Sequence, residues 1–337
     1  METNFYPFAV PNDVMPIIYD SILDNSVKMI SSIGSELDRL QPDIPDVLFH
    51  YSDANAVLGI IQNKCLYASD YRFLNDSKEF IHAMDVAKTF IGESLSTDSN
   101  DYTQLIYDIA FSMNPDSAFP AQTKVFIACL TEESDSLGQW RAYGNNGRGY
   151  AVGLHTNDLH YGSDFLLNPN SRQPILGKVI YDDKSLGLLS KSMFYEMCKC
   201  VPIVIENLKN NGFDLDEPLY KMSCGIAAGV FLRGMSYISP FWKHNAFVEE
   251  NEWRLVYVYD DLFENHSLPD INFRVSMDTP VPFVKVPIVK GEDSSISKII
   301  IGPNLDFQLS RLGLDFLVEH YFEKEIEVVE SRLSYRS

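Results

Sequence analysis

A chain of 337 residues with 45% hydrophobic content can hold one large domain or two ordinary ones, each with a full core. A net charge of -20 argues against a surface built to hold nucleic-acid phosphate, which needs clustered Lys and Arg, and keeps the chain away from anionic membranes. The five cysteines, Cys65, Cys129, Cys198, Cys200 and Cys224, show no framework spacing and read as reduced thiols. No signal-peptide pattern and no bilayer-length apolar run is visible, so a soluble cytoplasmic protein is expected.

In chain order, Asn12 to Leu40 repeats apolar residues at three- and four-residue steps and predicts a helix that Pro42 and Pro45 terminate. Residues 1–45 therefore form an expected N-terminal helical segment ahead of one α+β domain at 46–337. The stretch from Val47 to Phe80 predicts a strand ending at His50-Tyr51, an amphipathic helix capped by Ser52 or Asp53, and a second strand at Cys65–Ser69. Strand alternation puts Leu48 and His50 on one face of the first strand, and Cys65, Tyr67 and Ser69 together on the second. A polar turn with Asp70, Arg72, Asn75 and Asp76 follows, then helices from Ser77 to Glu93 and from Gln104 to Met113.

Lys124 to Leu130 is a short apolar run that reads as a buried strand. A turn is expected around Leu137–Trp140, and the block Gln139-Trp140-Arg141-Ala142-Tyr143-Gly144 mixes stacking and anion-binding groups, ahead of a strand at Gly149–Leu154 and another at Lys178–Tyr181. The region from about 184 to 240 is mainly helical and is expected to be an insertion, because strands resume after it. Those strands are Glu252–Tyr259, Ile271–Val275, Phe283–Val289, Lys298–Gly302 and Glu325–Glu330, with a helix from Leu305 to Phe322. Pro287 suggests an edge position. In Glu252–Tyr259, alternation separates Trp253, Leu255, Tyr257 and Tyr259 from Glu250, Glu252 and Arg254, and Arg254 is the simplest partner for a carboxylate in a strand interior.

His50, Tyr67 and Glu252 thus sit on three strands, and strand parity is compatible with all three facing one cleft. Taken singly each has a structural reading: a satisfied histidine, a half-buried aromatic, a solvated ion pair. The segment FHYSDANAVLGIIQNKCLYASD resembles the opening of the ADP-ribosyltransferase fold of the diphtheria-toxin and poly-ADP-ribose-polymerase class, with His50, Tyr67 and Glu252 at the matching positions. The longer pattern of H-Y, L-Y-A-S-D-x-R-F-L-N-D, Q-W-R-A-Y-G, E-x-E-W-R-L and I-I-I-G-P is similar to a bacterial domain-of-unknown-function family, number 2971.

The resemblance implies an α+β fold with a split, mostly antiparallel sheet of ADP-ribosyltransferase-like type. It implies an NAD-consuming enzyme that breaks the nicotinamide–ribose bond and passes ADP-ribose to an unidentified protein or nucleic-acid acceptor, as a toxin or phage-defence effector. Catalytic roles would fall on His50, Tyr67, Glu252 and Glu250, the last matching the first Glu of an E-x-E motif that positions the acceptor. NAD, as substrate, would be held by Tyr51, Ser69, Arg72, Asn75, Gln139, Trp140, Arg141 and Tyr143, with Arg72 and Arg141 on the pyrophosphate. An NAD glycohydrolase and a non-catalytic nucleotide-sensing module are the alternatives. No metal is expected, and the oligomeric state, a homo-oligomer included, stays open.

Overall fold

Apolar periodicity in the sequence becomes helices on one side of a sheet, and apolar runs become its strands. The computed structural model describes residues 14–74, 79–97, 100–112, 123–159, 161, 173–260, 270–276, 278–290 and 293–335. It begins with helix α1 (Val14–Leu40), followed by β1 (Val47–Ser52), α2 (Ala54–Asn63) and β2 (Cys65–Asp70). Asp53 caps α2 by accepting a hydrogen bond from the Ala56 N–H at 2.8 Å, and Lys64 closes the helix in the left-handed conformation. Then come α3 (Glu79–Leu95), α4 (Asp101–Ser112), β3 (Thr123–Thr131), α5 (Leu137–Ala142), β4 (Tyr150–His155) and β5 (Ile175–Lys178). The helical insertion is α6 (Asp183–Cys198), α7 (Cys200–Asn210) and α8 (Glu217–Ile238). The chain ends with β6 (Glu252–Asp260), β7 (Asn272–Ser276), β8 (Thr279–Pro287), the short β9 (Val289–Lys290) and β10 (Asp293–Ser294), β11 (Ile296–Ile301), α9 (Phe307–Tyr321) and β12 (Glu327–Glu330).

The fold is α+β with an open sheet that is antiparallel throughout except where β11 and β12 run parallel. β3 is its spine. Along one edge it pairs with β6 from Thr123↔Asp260 to Thr131↔Glu252, and β5 pairs with the far side of β6. Its other edge is shared: Phe49 of β1 pairs with Thr131, while Ser69 and Asp70 of β2 pair with Ile127 and Phe126. Between those contacts β1 and β2 diverge, and the sheet forks into a β1–β4–β11–β12 branch and a β2–β8–β7 branch.

One face of the sheet carries Leu48, Leu66, Ala68, Ala128, Leu130, Trp253 and Leu255, packed under α2 and α9. On the other face the larger helical core unites α1, α3, α4, α6, α7 and α8 over Val125, Ile127 and Val256. The insertion is therefore no separate lobe, and α1 shares its core. A third, small cluster puts Trp140 of α5 over Phe49, Tyr51, Ala151 and Ile300. Gly153 of β4 lies beneath Phe49, where a Cβ would come within 2.9 Å of the ring and 2.7 Å of the Ser297 hydroxyl.

The strand expected at Lys178–Tyr181 lies earlier, as β5 at Ile175–Lys178, and two other sequence readings change. Pro287 does not mark an edge strand, since β8 lies between β2 and β7. It is tolerated because β7 covers β8 only as far as Phe283, leaving Pro287 paired with Cys65 on one side. The expected turn at Leu137–Trp140 is a one-and-a-half-turn helix, too short for apolar periodicity to reveal. Among the described residues, no helix is long and apolar enough to cross a membrane, and all five cysteines are free thiols.

Candidate functional site

An open pocket, about 340 Å³ with the solvent at its mouth included, lies where β1 leaves β3, beneath the α5 cover. Phe49, Tyr51 and Thr131 form one side, Cys129 and His50 the fork itself, and Gln139, Tyr143, Glu250 and Glu252 the roof and far wall.

His50 stands at the fork. The pairing of Phe49, Thr131 and Glu252 in one row places these three on the same face, so strand parity turns His50 the other way. The expectation that His50 shares a face with Glu252 is therefore corrected. Its ring reaches the pocket by filling the space between diverging strands, where Nδ1–H donates to the Cys129 carbonyl at 2.8 Å. A carbonyl only accepts, so the proton is on Nδ1 and Nε2 is the basic nitrogen of the neutral ring. Burial lowers the His50 pKa, the bond to Cys129 opposes that, and the nearby Arg274 charge lowers it further.

Glu250 and Glu252 are brought together by a 3-10 segment, Asn245–Glu250, and by Asn251, whose left-handed backbone (φ 44°) turns the chain into β6. The Glu250 carbonyl accepts from Thr131 Oγ1 at 2.8 Å and from Gln139 Nε2 at 3.1 Å, which fixes this turn over the pocket. Behind it lies a buried ion cluster. Lys243 Nζ reaches Glu250 Oε2 at 2.7 Å, Glu252 Oε2 at 3.1 Å and Glu79 Oε1 at 3.4 Å. Arg254 grips Glu252 through Nε at 2.9 Å and Nη2 at 3.0 Å, and grips Glu79 through Nη1 at 2.7 Å and Nη2 at 2.8 Å. Three carboxylates against two cations leave this group with one net negative charge.

The two carboxylates differ in freedom. Burial would raise the Glu252 pKa, but Arg254 and then Lys243 outweigh it and hold the carboxyl at about 2. Both Glu252 oxygens are taken by cations. Glu250 is less buried, and its Oε1 accepts from the Tyr143 hydroxyl at 3.2 Å on the pocket side. Burial pushes the Cys129 thiol well above its usual range, with Glu252 adding to the effect, so it is no thiolate nucleophile. Tyr181 donates no charge here: its hydroxyl accepts from the Glu252 N–H at 3.2 Å, and burial raises it to about 12.

Of the residues expected to act, His50, Glu250 and Glu252 meet at this pocket, joined by Tyr51, Gln139 and Tyr143. Tyr67 does not border it; its ring stacks on Phe283 at 4.1 Å and its hydroxyl accepts from Asn63 Nδ2. Ser69 accepts from Arg274 Nη2 at 3.2 Å, also on the β2 branch. Arg72 is held bidentately by Asp70, at 2.9 and 2.7 Å. Trp140 is fully buried, its indole N–H donating to Asp135 at 2.7 Å, and serves packing. Arg141 is exposed and lies over the Tyr335 ring, away from the pocket lining. Asn75 and Asp76 lie outside the described residues. Glu79 was not legible as part of this cluster because it arrives from α3, far away in sequence, and Lys243, seven residues before Glu250, was not because no periodicity reveals the 3-10 turn that folds it back. Arg254 was, through its two-residue spacing from Glu252.

No curated protein and no solved structure matches this chain. Residues 139–255 match the family described as "Protein of unknown function (DUF2971)". That span begins at Gln139 and takes in Tyr143, the whole helical insertion, Lys243, Glu250, Glu252 and Arg254, so the chain is similar to this family through the pocket roof and most of the ion cluster.

Proposed function

We propose that the pocket is the reaction site of an ADP-ribosyltransferase-like enzyme that consumes NAD. The observation that carries this reading is the meeting, at the fork of a split sheet, of a β1 histidine and an E-x-E carboxylate pair around one small pocket. Cleavage of the nicotinamide–ribose bond sends its electron pair to the ring nitrogen and leaves an oxocarbenium-like ribose, as in glycoside hydrolysis. A carboxylate aimed at that carbon from a water-poor wall stabilises the developing charge. Glu250 is the better placed of the two, since Tyr143 and Lys243 orient it without enclosing it, and it would also take the proton of the attacking acceptor. Glu252 then acts by holding Lys243 and Arg254. His50, with Nε2 basic, suits a hydrogen bond from a ribose hydroxyl.

A non-catalytic nucleotide sensor is the second reading, and the cation pairing on both oxygens of Glu252 favours it. Incubation of the purified chain with NAD separates the cases. Transfer releases nicotinamide and labels an acceptor; hydrolysis releases nicotinamide alone; a sensor binds without turnover. Under the enzymatic reading, Glu250→Gln lowers kcat about a hundredfold with KM for NAD nearly unchanged, the mark of an interaction made in the transition state. A Glu250→Gln enzyme within a factor of about two of wild type, against the roughly hundredfold expected, removes Glu250 from the chemistry.

A further inference from the structure

We infer that the β2–β8–β7 branch of the fork carries an anion site, formed by Arg274 and Lys285 beside Ser69 and Tyr67, that takes the diphosphate of a nucleotide. That the nucleotide's glycosidic end enters the neighbouring pocket rests on the function proposed above; the anion site stands on its own geometry.

Register places the members together. Tyr67 pairs with Lys285, Ser69 with Phe283, and Phe283 with Asn272, so Tyr67, Ser69, Phe283, Lys285, Asn272 and Arg274 share one face. It is the face of Ile127 and Glu252, onto which the pocket opens. None of the strand positions on this face of the branch is a carboxylate, in a chain whose net charge is -20. Arg274 is exposed and donates to a neutral partner, the Ser69 hydroxyl, a bond that orients the guanidinium without compensating its charge. Lys285 is exposed one strand away.

Position relative to the pocket supports the same ligand. Arg274 is near enough to depress the His50 pKa, and His50 borders the pocket. Tyr67, partly exposed and backed by Phe283, adds an aromatic platform beside the cations. Neither Arg274 nor Lys285 lines the pocket, so an anion held by them lies outside it. Arg72 and Arg141, the cations singled out from sequence, are engaged elsewhere, by Asp70 and by Tyr335. A guanidinium offering a planar fork suits a phosphate oxygen pair, with the ammonium as a second point charge.

Calorimetric titration of the full chain with ADP, ADP-ribose and adenosine tests this. ADP and ADP-ribose should bind well above adenosine, and ADP affinity should fall as salt rises from about 50 to about 300 mM, because exposed charges are screened. Arg274→Gln should weaken ADP binding roughly tenfold, the loss of one charge-assisted contact, and Arg274→Lys should restore part of it. Arg72→Gln and Arg141→Gln should bind ADP as wild type does. Absence of ADP binding at millimolar concentration, or unchanged affinity in an Arg274→Gln/Lys285→Gln double variant, overturns the site. ADP binding that depends on Arg274 in a protein that never consumes NAD keeps the site and removes the enzymatic reading. NAD turnover with an unaltered KM in Arg274→Gln does the reverse.

Discussion

Glu250 and Glu252 stand two residues apart and meet the same lysine, yet burial separates their chemistry. Glu252 is 5% exposed and saturated by cations, so its charge serves the structure around it. Its folded pKa of about 2 lies below the ordinary 4.5, so the stability it contributes is fully present above about pH 4.5 and is lost as pH falls toward 2. A depression of that size corresponds to on the order of 3 kcal/mol. Urea unfolding of wild type and Glu252→Gln at pH 5.5 and pH 3 checks it: the gap between the two proteins should be widest at the higher pH and close on acidification. A gap that stays constant across the window means the ionised carboxylate is not what stabilises the cluster. The buried partners make this residue unforgiving, because removing one member of such a pair leaves the others desolvated.

At the scale of single elements, α5 shows how a short helix is set from outside. Six residues are too few to hold a helix on propensity alone. What secures it is Trp140, whose ring meets Tyr51 edge-on at 4.7 Å, and Asp135, which also accepts from Ser331 Oγ at 2.6 Å and from the Arg332 N–H at 2.7 Å. One aspartate thereby ties α5 to the segment after β12. Asp135→Ala should leave the buried indole N–H without an acceptor and cost roughly 1–3 kcal/mol, read as a lower Tm with a shifted tryptophan emission. Because Gln139 and Tyr143 hang from the same turn, the proposed function predicts that nucleotide affinity or turnover falls as well. Normal affinity in a destabilised Asp135→Ala protein would mean the roof is positioned by Glu250 and Thr131 instead.

For the whole molecule, the telling fact is that α1 and the insertion are one core. Val14, Ile18, Ile22, Met29, Ile33 and Leu37 are buried among residues of α6, α7 and α8, so the N-terminal helix covers surface that the insertion exposes. Burying side chains of this kind contributes roughly 1.5–3 kcal/mol each, a sum comparable to the net stability of a domain. A chain starting at Gln41 should therefore lose its cooperative thermal transition and bind a hydrophobic dye such as ANS. Retention of the full-length Tm would show that the helix is an appendage. Glu79 lies on α3 within the same helical layer, so a loosened layer should also release Lys243 and Arg254 from one of their three carboxylates.

Sequence alone determined what depends on neighbours along the chain. The apolar run of β3, the capped helix after Asp53, and the alternation that separates Trp253 and Leu255 from Glu252 and Arg254 all follow from local period and burial. So did the place of His50 on β1, although the strand continues to Ser52, and the pairing of Glu252 with Arg254 across two residues. Only the tertiary structure decided which edges meet. The fork exists because β3 offers one edge to two strands, a choice made between segments dozens of residues apart, and it alone turns His50 toward Glu252 against its own strand parity. The same non-local packing brings Glu79 to Lys243 and Arg254, lays Arg141 over Tyr335 away from the pocket, and sets Arg274 on Ser69. A strand's pattern states which face is apolar; it carries no record of the neighbour that will cover it.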